Sequence, residues 1–306
     1  MKIRYSIPFI LLALLCCEKK SKAQDVSFSQ VFSAPVYVNP ALTGITGAGR
    51  FASLFQDQQL DLAGKYQTYY ASYDQFVNKL KSGLGFFYMH DIYGLIKSNR
   101  FALAFSHGFD LMEKKLKIVP GLDADFVQQL LDTAGIITSQ PETFNTKISY
   151  IDLAGGLHAT TKRMNISAAA HHLTQPDESF IQGGSSRLPM RITVIADCVF
   201  GKVDEKKTFK FAPSFKMEMQ NSIYNIQASF AMTYHKIKVG FAYKTSEDFI
   251  VQAAYQGSIF KLRYCYDFRT NKLSNKFEGI HEVTTLWNLF GKKRKDDFLQ
   301  MHHFGF

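Results

Sequence analysis

The stretch that decides the fold reads IYNIQASFAMTYH at Ile223–His235 and continues as KIKVGFAYK at Lys236–Lys244. Apolar and aromatic side chains occupy mostly the even positions of the first part, and they occupy the odd positions of the second part. Neighbouring side chains of a β-strand point to opposite faces, so each part has the period of a strand with one apolar face. The change of parity at His235–Lys236 indicates a tight turn between two antiparallel strands.

The same alternation recurs along the chain, for example at Phe209–Gln220 and at Phe260–Arg269, and no segment has a convincing period of 3.6. A soluble antiparallel sheet and a membrane barrel both have one apolar and one polar face. The segments are about nine to thirteen residues long, which fits the roughly 9–11 residues of a membrane-crossing strand better than the five or six of a soluble one. Phe and Tyr near strand ends suit an interfacial girdle, and Lys and Arg on the opposite faces suit a wet lumen.

We therefore predict an all-β fold, namely an antiparallel transmembrane β-barrel of about 14 strands, an even number as in closed bacterial barrels. The predicted strands are 48–59, 65–77, 82–92, 96–110, 115–128, 147–160, 164–173, 190–203, 207–219, 223–235, 236–244, 247–257, 259–269 and 279–290. Long connections at 129–146, 174–189 and 270–278 follow odd-numbered strands, whereas short ones such as Asp204–Lys206 follow even-numbered strands. Outer-membrane barrels have long extracellular loops and short periplasmic turns, so this sorting predicts which end faces outward.

The N-terminus has the pattern of a secretory signal. A basic start precedes an apolar stretch at 7–15, which is too short to cross a membrane as a helix. Ser21 and Ala23 place small residues where signal peptidase needs them, so we expect cleavage after Ala23. An export signal followed by a predicted transmembrane barrel indicates a bacterial outer-membrane location. The alternative is a lipoprotein signal acylated at Cys16 or Cys17, but bulky leucines precede these cysteines.

The net charge of the chain bears on its possible partners. The 306 residues carry a net charge of +10, and cleavage of residues 1–23 removes five basic and one acidic side chain, which leaves +6. An excess this small on an exported protein predicts no nucleic-acid partner.

After the signal, the chain divides into three predicted segments. We expect a pre-barrel segment at 24–47, a barrel at 48–290 surrounded by outer-membrane lipid, and a basic periplasmic tail at 291–306.

Two sets of residues are candidates for the interior of the barrel. Asn39 and Pro40 form either a turn before the first strand or part of a pre-barrel segment that lines or plugs the lumen. Basic residues on the faces opposite the aromatic ones are predicted to point into the lumen: Lys216, Lys238, Lys261 and Arg263.

The connection at 174–189 is the candidate partner-binding loop, because it is longer than a connection needs to be. Exposed aromatic and apolar side chains are effective anchors in protein interfaces, although such a pair could also fold back over the barrel. The candidate contact residues are Thr174, Gln175, Pro176, Asp177, Phe180 and Ile181.

Neither catalytic nor metal-binding residues are predicted. His171 and His172 are adjacent, and adjacent strand residues point to opposite faces, so they do not converge on one ion. The chain has no His-Glu-x-x-His or Cys-x-x-Cys spacing, no Gly-x-Ser-x-Gly elbow and no phosphate-binding glycine loop. We expect a strand-end or loop-anchoring role for the two histidines, no cofactor and no enzyme activity.

Four segments, in order along the chain, carry a resemblance to a known family. They are Phe28-Ser29-Gln30 with Asn39-Pro40-Ala41-Leu42-Thr43-Gly44, Gly83-Leu84-Gly85 with Asp91-Ile92-Tyr93-Gly94, His172-Leu173-Thr174-Gln175-Pro176 with Ser179-Phe180, and Tyr264-Cys265-Tyr266-Asp267 with Gly279-Ile280-His281-Glu282. Together they resemble the PorP/SprF family of type IX secretion and gliding-motility membrane proteins.

The resemblance implies an outer-membrane barrel that serves secreted or surface-displayed proteins, in some members by holding an adhesin at the cell surface. Its implied partners are a secreted or surface adhesin-type protein and other type IX secretion components. The alternative function is that of a passive, porin-like diffusion channel for small solutes. Loss of surface proteins on deletion would favour the first function, and open conductance without a stable partner would favour the second.

Overall fold

The computed structural model describes residues 25–47, 49–60, 66–113, 115–133, 143–201, 209–257, 259–270 and 277–290. Within these residues, fifteen strands form one antiparallel sheet. In chain order they are β1 (Gly49–Leu60), β2 (Tyr66–Val77), β3 (Ser82–Tyr93), β4 (Ile96–His107), β5 (Phe109–Leu111), β6 (Leu116–Leu131), β7 (Lys147–Thr160), β8 (Met164–His171), β9 (Arg191–Cys198), β10 (Phe209–Gln220), β11 (Ile223–Tyr234), β12 (Ile237–Lys244), β13 (Asp248–Gln256), β14 (Phe260–Arg269) and β15 (Phe277–Phe290).

The sheet closes on itself into a barrel. Phe51 of β1 lies opposite Tyr73 of β2 on one side and opposite Trp287 of β15 on the other, so the first strand pairs with the last. The strands β4 and β5, separated by Gly108, both pair with β6 and share one position in the wall. The described strands therefore fill fourteen wall positions, and the predicted fourteen-strand antiparallel barrel is confirmed.

The wall has an apolar outer face and a polar inner face. Phe230 contacts Phe211 and Phe241 across neighbouring strands, and all three rings are exposed. The inward positions include charged side chains with almost no exposed surface, such as Asp267 and Glu282. So many exposed aromatic side chains suit contact with lipid. In a membrane the wall would face hydrocarbon on its outer side and polar groups on its inner side. Among the described residues, no helix is both long enough and apolar enough to cross a membrane.

The connections alternate between the two ends of the barrel. One end, here called the long-loop end, has the connections 61–65, 94–95, 132–146, 172–190, 221–222, 245–247 and 270–276. The other, the short-turn end, has 78–81, 112–115, 161–163, 199–208, 235–236 and 257–259. The strand predicted at 190–203 ends at Cys198, because Gly201 has a φ of 109° and only an isolated bridge between Phe200 and Phe211 continues the pairing. The connection 199–208 is therefore longer than predicted, and the predicted turn Asp204–Lys206 lies outside the described residues.

Residues 25–47 lie inside the barrel and are called the plug below. The plug begins at the long-loop end, where Asp25 bonds to Gln220 at the end of β10, and it reaches the short-turn end before β1 begins. It contains one helical turn, α1 (Pro35–Val38), followed by a 3-10 turn at Pro40–Leu42. Nearly all of its side chains from Phe28 to Ile45 are buried, so the plug fills the lumen.

Two apolar clusters hold the plug between opposite parts of the wall. In the first, Tyr37 packs edge-on against Phe28 and Phe87, together with smaller wall residues. In the second, Phe32 and Leu42 belong to a cluster with wall residues of β9 to β13. Complete burial of such a side chain stabilises a fold by roughly 1.5–3 kcal/mol, so these clusters make the plug part of the barrel's core.

Candidate functional site

The plug is fixed at the short-turn end by Asn39. Its side-chain amide donates hydrogen bonds to the carbonyl oxygens of Leu157 on β7 and Ala168 on β8, both at 3.1 Å. Its side-chain oxygen accepts a bond from the backbone N–H of Ala41 at 2.9 Å, which caps the 3-10 turn that begins at Pro40. Asn39 and Pro40 thus form a turn, and this turn lies inside the plug.

Wall glycines make room for this part of the plug. A Cβ atom added at any of three glycines would lie closer to plug atoms than real Cβ atoms come to other atoms. The added Cβ would lie 2.1 Å from the Thr43 backbone oxygen at Gly83, 2.3 Å from the Ala41 nitrogen at Gly121 and 1.9 Å from the Asn39 Oδ1 at Gly156. Glycine lets two backbones approach closely, so residues 34–47, here called the inner half of the plug, fit closely against the wall.

An ion pair completes the short-turn end of the site. Arg50 of β1 binds Asp74 of β2 through two hydrogen bonds of 2.7 and 2.9 Å. The same guanidinium donates to the carbonyl of Leu42, and the same carboxylate accepts the N–H of Gly44, at 3.0 and 2.7 Å. Bidentate pairs of this kind are strong and directional, so they tie the end of the plug to the first hairpin of the wall.

At the long-loop end, His172 joins the plug to the wall. Its Nε2 lies 2.5 Å from an oxygen of Asp25, and its Nδ1 lies 2.5 Å from an oxygen of Asp152 on β7. The strand predicted at 164–173 ends at His171, because His172 has a φ of 59°. This left-handed conformation breaks the alternation, so His171 and His172 both point into the lumen and not to opposite faces.

The charges at this end favour a protonated imidazole. Burial raises the pKa of Asp25, but the charges of His172 and Arg191 outweigh this effect and hold the pKa well below its usual range. Burial lowers the pKa of His172, whereas the Asp25 charge and the hydrogen bonds to Asp152 and Asp25 raise it, and the net shift is upward. Arg191 also lies over the ring of Tyr37, whose pKa burial raises to about 12.

Ser29 is the centre of a further polar contact between the plug and the wall. Its hydroxyl lies 2.5 Å from Asp267 of β14 and accepts a bond of 2.7 Å from Lys244 of β12. Lys244 and Asp267 are themselves 2.7 Å apart. The carboxylate of Glu282 accepts the backbone N–H of Ser29 at 2.9 Å. Buried charges of both signs are thereby paired around one plug residue, as burial in a low-dielectric interior requires.

All four basic residues predicted to face the lumen are buried within it. Lys216 donates to the carbonyl of Phe28 at 2.7 Å, and Arg263 donates to the carbonyl of Phe32 at 3.4 Å. Lys238 and Lys261 lie on the inner face near the short-turn end, at the beginnings of β12 and β14. Two of the four therefore contact the main chain of the plug.

The candidate partner loop is ordered by its own hydrogen bonds. Thr174 donates to Asp152 at 2.7 Å, and the carbonyl of Pro176 accepts the N–H of Leu188. The carboxylate of Asp177 accepts bonds from three groups of the same loop, namely the Ser179 N–H, the Ser185 hydroxyl and the Ser186 N–H.

The tip of this loop contacts the neighbouring loop. The carbonyl of Phe180 accepts the N–H of Asn145, and Ile181 forms an isolated bridge with Phe144. Phe180 is half-buried, whereas Ile181 and Gln175 are exposed. Of these two candidate contacts, Ile181, which is 46% exposed, is therefore more accessible than Phe180.

Sequence reasoning found Lys216 and Arg263 among the residues that hold plug residues 25–33, but it did not find others, namely Asp25, Ser29 and Glu282. The available signal was weak: Ser29 belongs to a family-like segment, and Glu282 stands on the polar parity of its strand. Within the ranges that the structure describes, no group of His, Cys, Asp and Glu could hold a metal ion.

Comparisons with known proteins agree with this fold. The family model described as "Type IX secretion system membrane protein PorP/SprF" matches residues 20–287. No curated protein matches the chain. Among solved structures, the CymD monoaromatic hydrocarbon channel is similar with a TM-score of 0.52 and 11% identity over 85% of this chain and 93% of that one. The toluene transporter TodX of Pseudomonas putida is similar with a TM-score of 0.46 and 9% identity over 83% and 92%. The Acinetobacter baumannii outer membrane protein Omp33 has values of 0.44 and 7% over 80% and 100%.

Proposed function

The chain belongs to the PorP/SprF family of type IX secretion system membrane proteins, and we propose that it binds or anchors one secreted or surface protein at the outer membrane. The partner is an adhesin-type protein, and other components of the secretion system are further candidates. The family and the barrel fold fit an outer-membrane location. In this proposal the long-loop end faces outward, because outer-membrane barrels have long extracellular loops and short periplasmic turns.

The filled lumen is the observation that carries this proposal. The plug is packed between apolar clusters on two sides and bonded to the wall at both ends of the barrel. A passive channel for small solutes requires a continuous aqueous path, and this barrel has protein in its place. The plug therefore favours a binding role over a diffusion role.

The long-loop end offers the surface for such a partner. Loop 172–190 is bonded to residues 143–145 of the neighbouring loop, so the two present one ordered surface. Ile181 is exposed there, and a rigid apolar side chain binds a partner without a large loss of conformational entropy.

Deletion of Asp177–Gly184 tests the proposal. We expect the barrel to remain folded, with heat-modifiable migration in electrophoresis, because the deleted residues lie outside the wall. The surface and secreted proteomes should lose one dedicated protein. The single change Ile181→Lys should reproduce this loss, whereas the adjacent exposed control Gln182→Lys should not.

The opposite result would support the alternative function. An unchanged surface proteome, together with altered ion conductance of the loop-deleted barrel in planar bilayers, would contradict partner binding. It would favour the passive diffusion channel.

A further inference from the structure

The wall of the lumen holds the outer half of the plug, residues 25–33, by its main chain as well as by its side chains. Side chains of six wall strands make eight hydrogen bonds to the backbone atoms of this half. Three bond backbone N–H groups: Gln220 to Asp25 at 3.2 Å, and Glu282 to Ser29 and Gln30 at 2.9 and 3.3 Å. Five donate to carbonyls: Arg191 to Val26 at 3.2 Å, Gln56 to Ser27 at 3.3 Å, Lys216 to Phe28 at 2.7 Å, Gln227 to Ser29 at 2.9 Å and Arg263 to Phe32 at 3.4 Å.

Main-chain atoms are the same in every peptide, so these wall groups do not require this particular sequence. Recognition of an extended segment through its backbone, with a few side-chain contacts for specificity, is a common mode of peptide binding. Here the side chains that the wall hydrogen-bonds are Asp25 by His172, Ser27 by Glu218 and Ser29 by Asp267. Gln30 adds a bond to the Glu282 carbonyl.

The inner half of the plug is held in a different way. Gly83 and Gly121 let its backbone lie against the wall, and Gly156 makes room for the Asn39 side chain, so its position depends on close fit as well as on the bonds of Asn39 and of the Arg50–Asp74 pair. A segment of other sequence would not fit this cradle. The two halves therefore differ in how closely they meet the wall: the inner half lies against wall glycines, whereas the outer half is bound by eight main-chain hydrogen bonds together with its side-chain contacts.

The outer half is also the one nearer to solvent. Asp25, Val26 and Ser27 are half-buried at the long-loop end, whereas residues 28–34 are buried. The groove that they occupy thus opens at the end where loop 172–190 lies. A peptide that approaches from this end meets the Asp25 position first.

We propose that the outer half of the lumen is a peptide-binding groove, which residues 25–33 occupy at rest and which a segment of the secreted partner with the same backbone course occupies in their place. This inference rests on the proposed function for the source of the peptide. The suitable segment has an acidic residue at the Asp25 position, apolar residues at the Val26 and Phe28 positions and a hydroxyl at the Ser29 position. It has no proline at the positions of Ser29 and Gln30, because Glu282 needs both N–H groups.

Exchange at this groove replaces one set of hydrogen bonds with an equivalent set, so little bonding is lost. The resident segment has an advantage, because a tethered segment has an effective concentration in the millimolar range for a short flexible link. A partner that also binds the outer loops gains the same advantage. A free peptide should therefore enter only when the resident segment is absent or weakened.

The test uses a fluorescent peptide with the sequence DVSFSQVFS of residues 25–33 and the purified full-length barrel in detergent. We expect little binding to the wild-type chain and at least tenfold tighter binding to a variant that lacks residues 25–33. The weakened variant Asp25→Asn should bind to an intermediate degree. The control peptide DVSFSPVFS, in which proline removes the N–H that Gln30 donates to Glu282, should bind at least tenfold more weakly than DVSFSQVFS.

A folded deletion variant that does not bind DVSFSQVFS, or that binds both peptides equally, would overturn the groove. Folding is judged by heat-modifiable migration. If the deletion variant does not fold, the test uses the full chain with Ser33→Cys and with Cys198 and Cys265 replaced by serine, since Ser33 is buried and bonds to Gln30 of the plug. Faster labelling by a membrane-impermeant maleimide when Asp25→Asn is added supports exchange, and equal protection with and without it overturns exchange. Neither result alters the effect of the loop deletion on the surface proteome, so the groove and the proposed function fail separately.

Discussion

The Nε2 atom of His172 lies 2.5 Å from an Oδ2 of Asp25, although 147 residues separate them. Asp25 is the first described residue of the plug, and His172 directly follows β8. The other ring nitrogen of His172 is bonded to Asp152, so one imidazole links the start of the plug to the wall. Because both partners are carboxylates, this link is strongest when the imidazole carries its proton.

This link should make the outer half of the plug sensitive to pH. The pKa of His172 is raised, so its contribution to stability is complete below the ordinary histidine value of about 6.5 and is lost as the pH rises through the raised value. The pKa of Asp25 is lowered, so its contribution is complete above about 3.9 and is lost as the pH falls through the lowered value. The protection of residues 25–33 against amide hydrogen exchange, measured relative to the intrinsic exchange rate at each pH, should therefore be greatest between about pH 4 and 6.5.

His172→Asn should remove this alkaline dependence and lower stability by about 1.5–3 kcal/mol, the usual range for hydrogen bonds to charged groups. Asparagine tolerates the left-handed conformation that His172 has at φ 59°. The matched control is His235→Asn, because His235 has a φ of 54° in an exposed turn at the short-turn end. Equal pH profiles for His172→Asn and the wild type would contradict the link.

Two adjacent glycines of β7 test the close fit of the inner half. Gly156→Ala would place a Cβ 1.9 Å from the Oδ1 of Asn39, whereas Gly155→Ala would place one no closer than 3.4 Å to a side-chain atom of Leu122. Overpacking costs about 1–3 kcal/mol, so Gly156→Ala should lower the temperature of the heat-modifiable transition. Gly155→Ala should change stability by about 0.5 kcal/mol or less. A similar effect of both changes would mean that Asn39 does not contact the wall at Gly156.

Sequence reasoning predicted the wall because each wall strand lies between two different environments. The strand predicted at 223–235 is β11 (Ile223–Tyr234), and the one predicted at 236–244 is β12 (Ile237–Lys244). Hydrocarbon outside and polar groups inside impose a period of two, and that period is visible in a single sequence.

The plug has no such signature. Its backbone is irregular, and its contacts join residues far apart in the chain, as between Ser29 and Glu282, which are 253 residues apart. Gly121 and Gly156 read as ordinary strand glycines until the plug is placed against them. The inward turn of His172 depends on one backbone angle, which the alternation of β8 does not reveal.

A charged side chain should impair assembly when it is placed on the outer face of β11 but not when it is placed on the inner face. Phe230 is exposed on the lipid side near the middle of the strand, and Phe230→Arg should cost about 2–4 kcal/mol if it lies close to the midplane. Asn225→Arg is the matched control, because Asn225 of the same strand faces the lumen opposite Glu218. Assembly, measured as the heat-modifiable fraction in outer-membrane preparations, should fall for Phe230→Arg and persist for Asn225→Arg. Equal assembly of both variants would contradict the assignment of the faces.

The orientation of the barrel in the membrane follows from where short tags become accessible. Gly183 is exposed with a φ of 77° and has no atom within 4 Å of its Cβ position, so an insertion between Gly183 and Gly184 should be tolerated. On intact cells this tag should be labelled, whereas a tag between Asp204 and Glu205, in the connection 199–208 at the short-turn end, should not. Because the plug begins at the long-loop end, a tag that follows the expected cleavage after Ala23 should also be labelled from outside. Labelling at Asp204–Glu205 without labelling at Gly183–Gly184 would mean that the long-loop end faces the periplasm, and the start of the plug would then face the periplasm as well.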